Sequence, residues 1–135
     1  MDLRPLGGHV SGPTITLVHG NQTLNTVYVT EDRDDAFLSK MAAGLGSRAG
    51  DAVCFGHTHK PWHRQIDGIH FINTGSVGRP KDGDPRSCYV ILAIDESLSV
   101  EFVRVDYEIE ETVTATNAAG LPGELGEQLR AGSST

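Results

Sequence analysis

The chain has 135 residues, 38% hydrophobic and 21% charged, with a formal net charge of −7, which reads as one globular domain able to bury a core. The acidic balance argues against a nucleic-acid polymer as main partner, because phosphate backbones are held by clustered Lys and Arg, yet it allows a phosphate-ester substrate wherever metal ions supply local positive charge. No apolar run approaches the ~20 residues of a membrane span and Met1-Asp2-Leu3-Arg4-Pro5 has no apolar signal region, so no membrane partner and a cytoplasmic location are expected.

Residues 1–13 hold three glycines and two prolines and read as an N-terminal loop. Thr14 to Val18 alternates Thr with apolar residues, a strand pattern, and ends at His19-Gly20. Thr26 to Val29 suits a short strand or an extended loop. Asp34-Asp35 opens a helix whose apolar stripe is Phe37, Leu38, Met41 and Leu45, with Gly44, Gly46 and Gly50 at its exit. Ala52 to Phe55 is a short apolar run bounded by turn signals, as a buried strand should be.

Gly56-His57-Thr58-His59 follows that run directly. If the segment stays extended, His57 and His59 point to one side with Cα atoms roughly 6.6 Å apart. Two imidazoles so spaced can reach the two ions of a catalytic pair, which sit about 3.5–4 Å apart. The helix between the two strands makes a strand–helix–strand unit, which favours parallel neighbours with ligands beyond their carboxyl ends. Both His19 and His57 stand at such ends.

Further on, His63 to Ile66 and Gly68 to Asn73 suit a hairpin turned at Asp67-Gly68. Asn73-Thr74-Gly75-Ser76 reads as a tight turn, with Gly75 and Gly78 supplying positive φ; its N–H groups and Ser76 could orient site ligands or a phosphate. Arg79, Lys81 and Arg86 make a small basic patch or a loop with local ion pairs. Trp62 suits a packing role on the flank of the site or a stacking platform. Ser87 to Ile94 is a buried strand, Asp95-Glu96-Ser97 a turn, and Leu98 to Tyr107 a half-exposed strand, so the second half reads as an antiparallel meander. Helices are expected from Glu108 to Ala119 and from Leu121 to Arg130. Cys54 and Cys88 lie in apolar runs and read as buried thiols.

The order strand-His19-Gly20, then Gly56-His57-Thr58-His59-Lys60-Pro61, then Ile72-Asn73-Thr74-Gly75-Ser76-Val77-Gly78-Arg79-Pro80 resembles the calcineurin-like metallophosphoesterase superfamily, most closely its small bacterial phosphodiesterase branch. The resemblance implies an α/β (α+β) fold: part of a metallophosphoesterase-type β-sandwich flanked by helices, with a mixed sheet. It covers residues 14–107, the C-terminal half of such a domain, with 108–135 as a helical tail. The family's Asp-x-His, Gly-Asp and Gly-Asn-His motifs precede the His-Gly strand. Only 18 residues precede His19, and none of those motifs is among them. Gly50-Asp51 and Gly83-Asp84 have the letters of one motif but fall after His19.

The resemblance implies a hydrolase that cleaves phosphodiesters or phosphomonoesters with a dinuclear metal-activated hydroxide. His19 and His57 would bind one divalent ion (Mn, Zn, Fe, Ni or Mg) and His59 the other, with Ser76, Arg79 and Lys81 as substrate contacts. The family's catalytic histidine motif is absent, so no catalytic residue is assigned, and the chain alone is expected to be weakly active or inactive. The alternative is a non-catalytic metal-binding or scaffold module of the same fold. The chain reads as a truncated gene model, a natural short form or one half of a two-chain enzyme. Its expected partners are a phosphate ester and either further copies of itself or a complementing N-terminal half. His9, His63 and His70 fit no family position and read as exposed or hydrogen-bonding side chains.

Overall fold

The computed structural model describes residues 12–134, so the expectations for 1–11, His9 included, lie outside the described residues. The elements are β1 (Ile15–Leu17), α1 (Asp35–Leu45), β2 (Ala52–Phe55), β3 (Trp62–Ile66), β4 (Ile69–Asn73), β5 (Ser87–Ile94), β6 (Leu98–Val105), α2 (Ile109–Ala118) and α3 (Glu124–Ala131). Among the described residues no helix is long and apolar enough to cross a membrane. The fold class is as expected, a mixed sheet combined with helices.

Helix α1 starts where the Asp34 carboxylate accepts the Phe37 N–H at 2.7 Å, satisfying one of the donors a helix start leaves open. It stops at Gly46, whose φ of 72° closes the last turn. Its stripe buries Leu38, Met41 and Ala42 against Val53, Phe55, Trp62 and Phe71 on one face of the sheet. Complete burial of a side chain such as Leu38 or Phe71 contributes roughly 1.5–3 kcal/mol. The other face carries Ala52, Cys54 and Ile72, covered by Leu98, Val90, Leu92 and Val100 of the β5–β6 ribbon. Helix, sheet and ribbon thus form three layers. The central strand β2 is buried along its whole length, which is why Ala-Val-Cys-Phe shows no alternation.

The four-stranded sheet has the order β1-β2-β4-β3, and β5 and β6 pair apart from it. Strands β1 and β2 are parallel, as expected. The second half is not one meander. The β3–β4 hairpin joins the sheet through β4, which runs parallel to β2. The side chains explain this. Ile69 to Asn73 is buried throughout and takes the inner position, whereas β3 alternates buried and open residues and takes the edge. Its turn is the expected one, with Asp67 at φ 50° and Gly68 at φ 77°. Strand β6 ends at Val105 rather than Tyr107, and residues 26–29 belong to no strand. Tyr89, Ile91 and Val105 alternate onto the outer face of the ribbon and are each more than 40% exposed.

Cys54 and Cys88 are both buried and free. Burial pushes the Cys54 thiol up to about 11 and raises that of Cys88 as well. Thiolate is therefore scarce at neutral pH, and access is closed. A disulfide-exchange reagent should find no reactive thiol in the native chain and two after denaturation. Fast native-state labelling of Cys54 would contradict this packing.

Candidate metal centre

Parallel pairing of β1 with β2 brings their carboxyl ends together. The ladder continues past both strands: Val18 N–H donates to Cys54 O at 3.0 Å, and Gly56 N–H donates to His19 O at 3.1 Å. His19 therefore stands beside the segment that carries His57. Gly20 explains the residue after His19. A Cβ there would come within 2.8 Å of the Leu24 and Asn25 carbonyl oxygens, so only glycine lets the next loop fold back so tightly. Asn21 holds that loop by accepting the Thr23 and Leu24 N–H groups at 2.9 and 2.7 Å.

Gly56 to His59 is not extended. His57 and His59 are left-handed, with φ of 65° and 60°, and Thr58 N–H donates back to Gly56 O at 2.7 Å. Such backbone costs roughly 1–3 kcal/mol per residue and persists only where its surroundings enforce it. The extended-chain spacing expected for the two histidines is replaced by a coiled loop, because buried neighbours hold it. Asn73, fully buried at the end of β4, donates to Gly56 O at 3.0 Å and to Thr58 Oγ1 at 2.8 Å. Its own carbonyl accepts the Gly75 N–H at 3.0 Å. Lys60 N–H donates to Thr58 Oγ1 at 3.3 Å, and Lys81 N–H donates to His59 O at 3.1 Å. One buried amide thus ties the histidine loop to the Asn-Thr-Gly-Ser turn.

The His19 Nε2 and His57 Nδ1 atoms face each other at 3.0 Å. Two imidazole nitrogens on one ion, with bonds of about 2.0–2.1 Å, stand roughly 2.9–3.4 Å apart between right-angle and tetrahedral geometry. Whichever ring donates, the buried Nε2 of His57 has no partner. The pair thus fits a divalent cation in donor type and separation, with one ring nitrogen unspent. The ring of Tyr28 lies 4.4 Å from that of His57.

His59 is turned differently. Its Nδ1 lies 2.8 Å from the Arg79 carbonyl oxygen. A carbonyl only accepts, so Nδ1 carries a proton, and in the neutral ring Nε2 is the nitrogen with the lone pair, the tautomer a metal ligand needs. Among the described residues no group of three or more His, Cys, Asp or Glu side chains is gathered about one point that could hold a metal ion. Asp51 is spent on the Thr14 and Arg48 N–H groups at 2.7 and 3.0 Å.

The other sequence expectations divide. Ser76 Oγ accepts the Arg79 N–H at 2.9 Å. The Arg79 guanidinium donates to Gln128 of α3, and Gly83 N–H donates to Gly132 O at 2.9 Å, so the tail helix clamps the loop after the turn. Arg86 pairs with Asp84 at 2.6 Å and Arg104 with Asp82. Of the three basic residues of the patch, Arg86 alone is paired with a carboxylate among the described residues. Among the described residues nothing hydrogen-bonds the Lys81 ammonium. Gly75 has the expected φ of 73°, and a Cβ there would press on Cys88 and Pro61; Gly78 is not in the left-handed region. Trp62 is a core residue, 5% exposed, edge-on to Phe55 at 5.1 Å. The aromatic ring at the site is Tyr28, which the sequence reading passed over because nothing local links it to His57. His63 and His70 lie away from this loop on β3 and β4. Burial lowers the pKa of both, and His70 adds to the effect on His63.

Comparison with known proteins agrees with the architecture. The sequence profile of the calcineurin-like phosphoesterase superfamily domain matches residues 8–97. An uncharacterized protein of Methanocaldococcus jannaschii is 33% identical over 95 residues, covering 59% of this chain and 39% of its own length. The crystal structure of a metallophosphoesterase from Sphaerobacter thermophilus superposes with a TM-score of 0.77 at 29% identity, over 91% of this chain and 58% of the other. That of a hypothetical protein from Pyrococcus horikoshii gives 0.74 at 16% identity, over 90% of this chain and 47% of the other, a likeness of fold alone. The chain spans well under two thirds of each of these relatives. With the family profile matched over most of its length, the chain belongs to the calcineurin-like phosphoesterase superfamily.

Proposed function

We propose that this chain supplies the histidine side of a divalent-metal centre for phosphate-ester hydrolysis. The observation that carries this reading is the approach of His19 Nε2 to His57 Nδ1 at 3.0 Å, at the carboxyl ends of adjoining parallel strands. His19 and His57 hold one cation, and His59 offers Nε2 to a neighbouring one. Divalent ions in such a centre lower the pKa of water and offset charge on the phosphoryl oxygens. The chain's own contribution is orientation. Asn73 fixes the loop that carries His57 and His59, the Arg79 carbonyl fixes the tautomer of His59, and Tyr28 walls one side of His57. Ser76 on the turn and Lys81 on the loop after it are the phosphate contacts of this reading, while Arg79 acts through its carbonyl.

The ligand set is short of carboxylates, and no general acid is assigned. We therefore infer that residues 14–107 act as the C-terminal half of the domain, with 108–135 bracing it, and that the described residues alone turn over slowly or not at all. The missing ligands come from a complementing half or a further copy. A non-catalytic metal-binding or scaffold module of the same fold is the second reading.

Titration of the purified chain with Mn²⁺ or Zn²⁺ should reveal saturable binding that His57→Ala/His59→Ala weakens by an order of magnitude or more. Unchanged affinity in that variant would remove the metal-centre reading. Hydrolysis of a bis-aryl phosphate by the chain with Mn²⁺ should stay far below about 1 s⁻¹, the low end of ordinary enzymes. Turnover at or above that rate would refute the incomplete-centre inference.

Asn73→Ala strips partners from Gly56 O, Thr58 Oγ1 and Gly75 N–H. It should cost roughly 1–3 kcal/mol of stability and lower metal affinity about 10–100-fold, as loss of ligand-orienting contacts does. Chemical denaturation together with metal titration checks both, and an unchanged affinity in a folded variant would deny Asn73 its orienting role.

A further inference from the structure

A second histidine pair lies on the β3–β4 hairpin, outside the loop described above. His63 Nε2 and His70 Nδ1 are 3.0 Å apart. The ring planes differ by 5° and the centroids are 5.1 Å apart. The rings are therefore close to parallel and approach through these two nitrogens. The hairpin register explains the meeting. His63 pairs with Ile72 and Gln65 with His70, so His63, Gln65 and His70 share the face of the sheet that also carries Ile72. His70 is buried at 8% exposure, whereas His63 is exposed on the edge strand. The Gln65 amide stands 3.2 Å from His70 Nε2.

We propose that His63 and His70 form a second cation site, for a borderline divalent transition ion of the Zn²⁺, Ni²⁺ or Cu²⁺ class. Imidazole suits these ions. In the metal-free pair the 3.0 Å contact is an N–H···N hydrogen bond, which keeps the nitrogens within the roughly 2.9–3.4 Å that two take on one such ion. One ligand is anchored by burial and the other can swing, so the lone pairs can turn from each other toward a shared ion. Gln65 completes the arrangement. With its amide turned to present Oε1, it accepts the Nε2–H of His70 and leaves Nδ1 bare for the metal, the outer contact that ligating histidines use. The surroundings favour a cation too. His70 and Gln65, though not His63, line a cavity of about 570 Å³ at the amino ends of β2 and β4, shared with Asp95, Glu96 and Asp51, whose carboxylate already accepts two backbone N–H groups. Arg48 is its lone lining guanidinium. The cavity is open to water, which can fill the remaining coordination positions.

The test uses the full chain carrying His57→Ala/His59→Ala, so that the first centre is disabled, and Zn²⁺ alone as the probe. Calorimetric titration should detect one saturable equivalent. Adding His63→Gln, an exposed and fold-neutral change, should abolish it, and Gln65→Ala should raise Kd roughly tenfold. In the unsubstituted chain, Zn²⁺ should also shift the imidazole nitrogen resonances of His63 and His70, which keeps the test open if the double variant fails to fold. Absence of shifts at both rings, or Zn²⁺ binding indifferent to His63→Gln, would overturn the proposal. Because the titration runs in the His57→Ala/His59→Ala background, its outcome is independent of whether the first centre binds metal.

Discussion

Everything at the candidate centre depends on one buried amide. Asn73 ends a strand that is buried on both sides, and its side chain is the polar hub at that end. It spends two donors on the loop after β2 and its acceptor on the turn after β4. A buried amide with unmet valences is costly, so it closes around its partners and holds them. Two left-handed histidines can therefore exist in a loop that would otherwise relax. Strand pairing sets where His19 and His57 lie, the amide holds the loop that carries His57 and His59, and the Arg79 carbonyl turns the ring of His59.

The centre is assembled from contacts of very different range. His19 and His57 meet because two parallel strands end side by side, an arrangement separated by 38 residues of chain. His59 is set by a carbonyl 20 residues downstream. The tail enters through Gln128 on Arg79 and Gly132 on Gly83. Each of these links ties the loop to a different part of the chain, so it is held from three directions.

Much of this was legible in the sequence because the signals were local. Asp34 at the start of α1, the stripe of Leu38 and Met41, the turn at Asp67-Gly68 and the apolar run Ala52 to Phe55 each announce themselves within a few residues. The two histidine-bearing motifs and the Asn-Thr-Gly-Ser turn led to the right family for the same reason. What stayed hidden was non-local. Nothing in Ile69 to Asn73 says that it pairs with β2 rather than continuing a meander; only its burial on both sides decides that. Positive φ is read from glycine, so His57 and His59 gave no sign of it, while Gly78 suggested a bend that does not occur. Trp62 sits next to the histidine motif in sequence but points into the core, and Tyr28, distant in sequence, takes the place beside the ring.

The hold on His59 has a consequence for how this protein can change over time. The group that fixes its proton is a main-chain oxygen, and every amino acid has one. Replacement of the side chain at 79 is thus invisible to His59 as long as the chain follows the same course. Selection acting on that imidazole would fall instead on what steers the course, the buried ring of Pro80 and the hydroxyl of Ser76. Constancy at Ser76 and Pro80 would be the signature left in descendants, with the side chain at 79 answering only to its contact with Gln128.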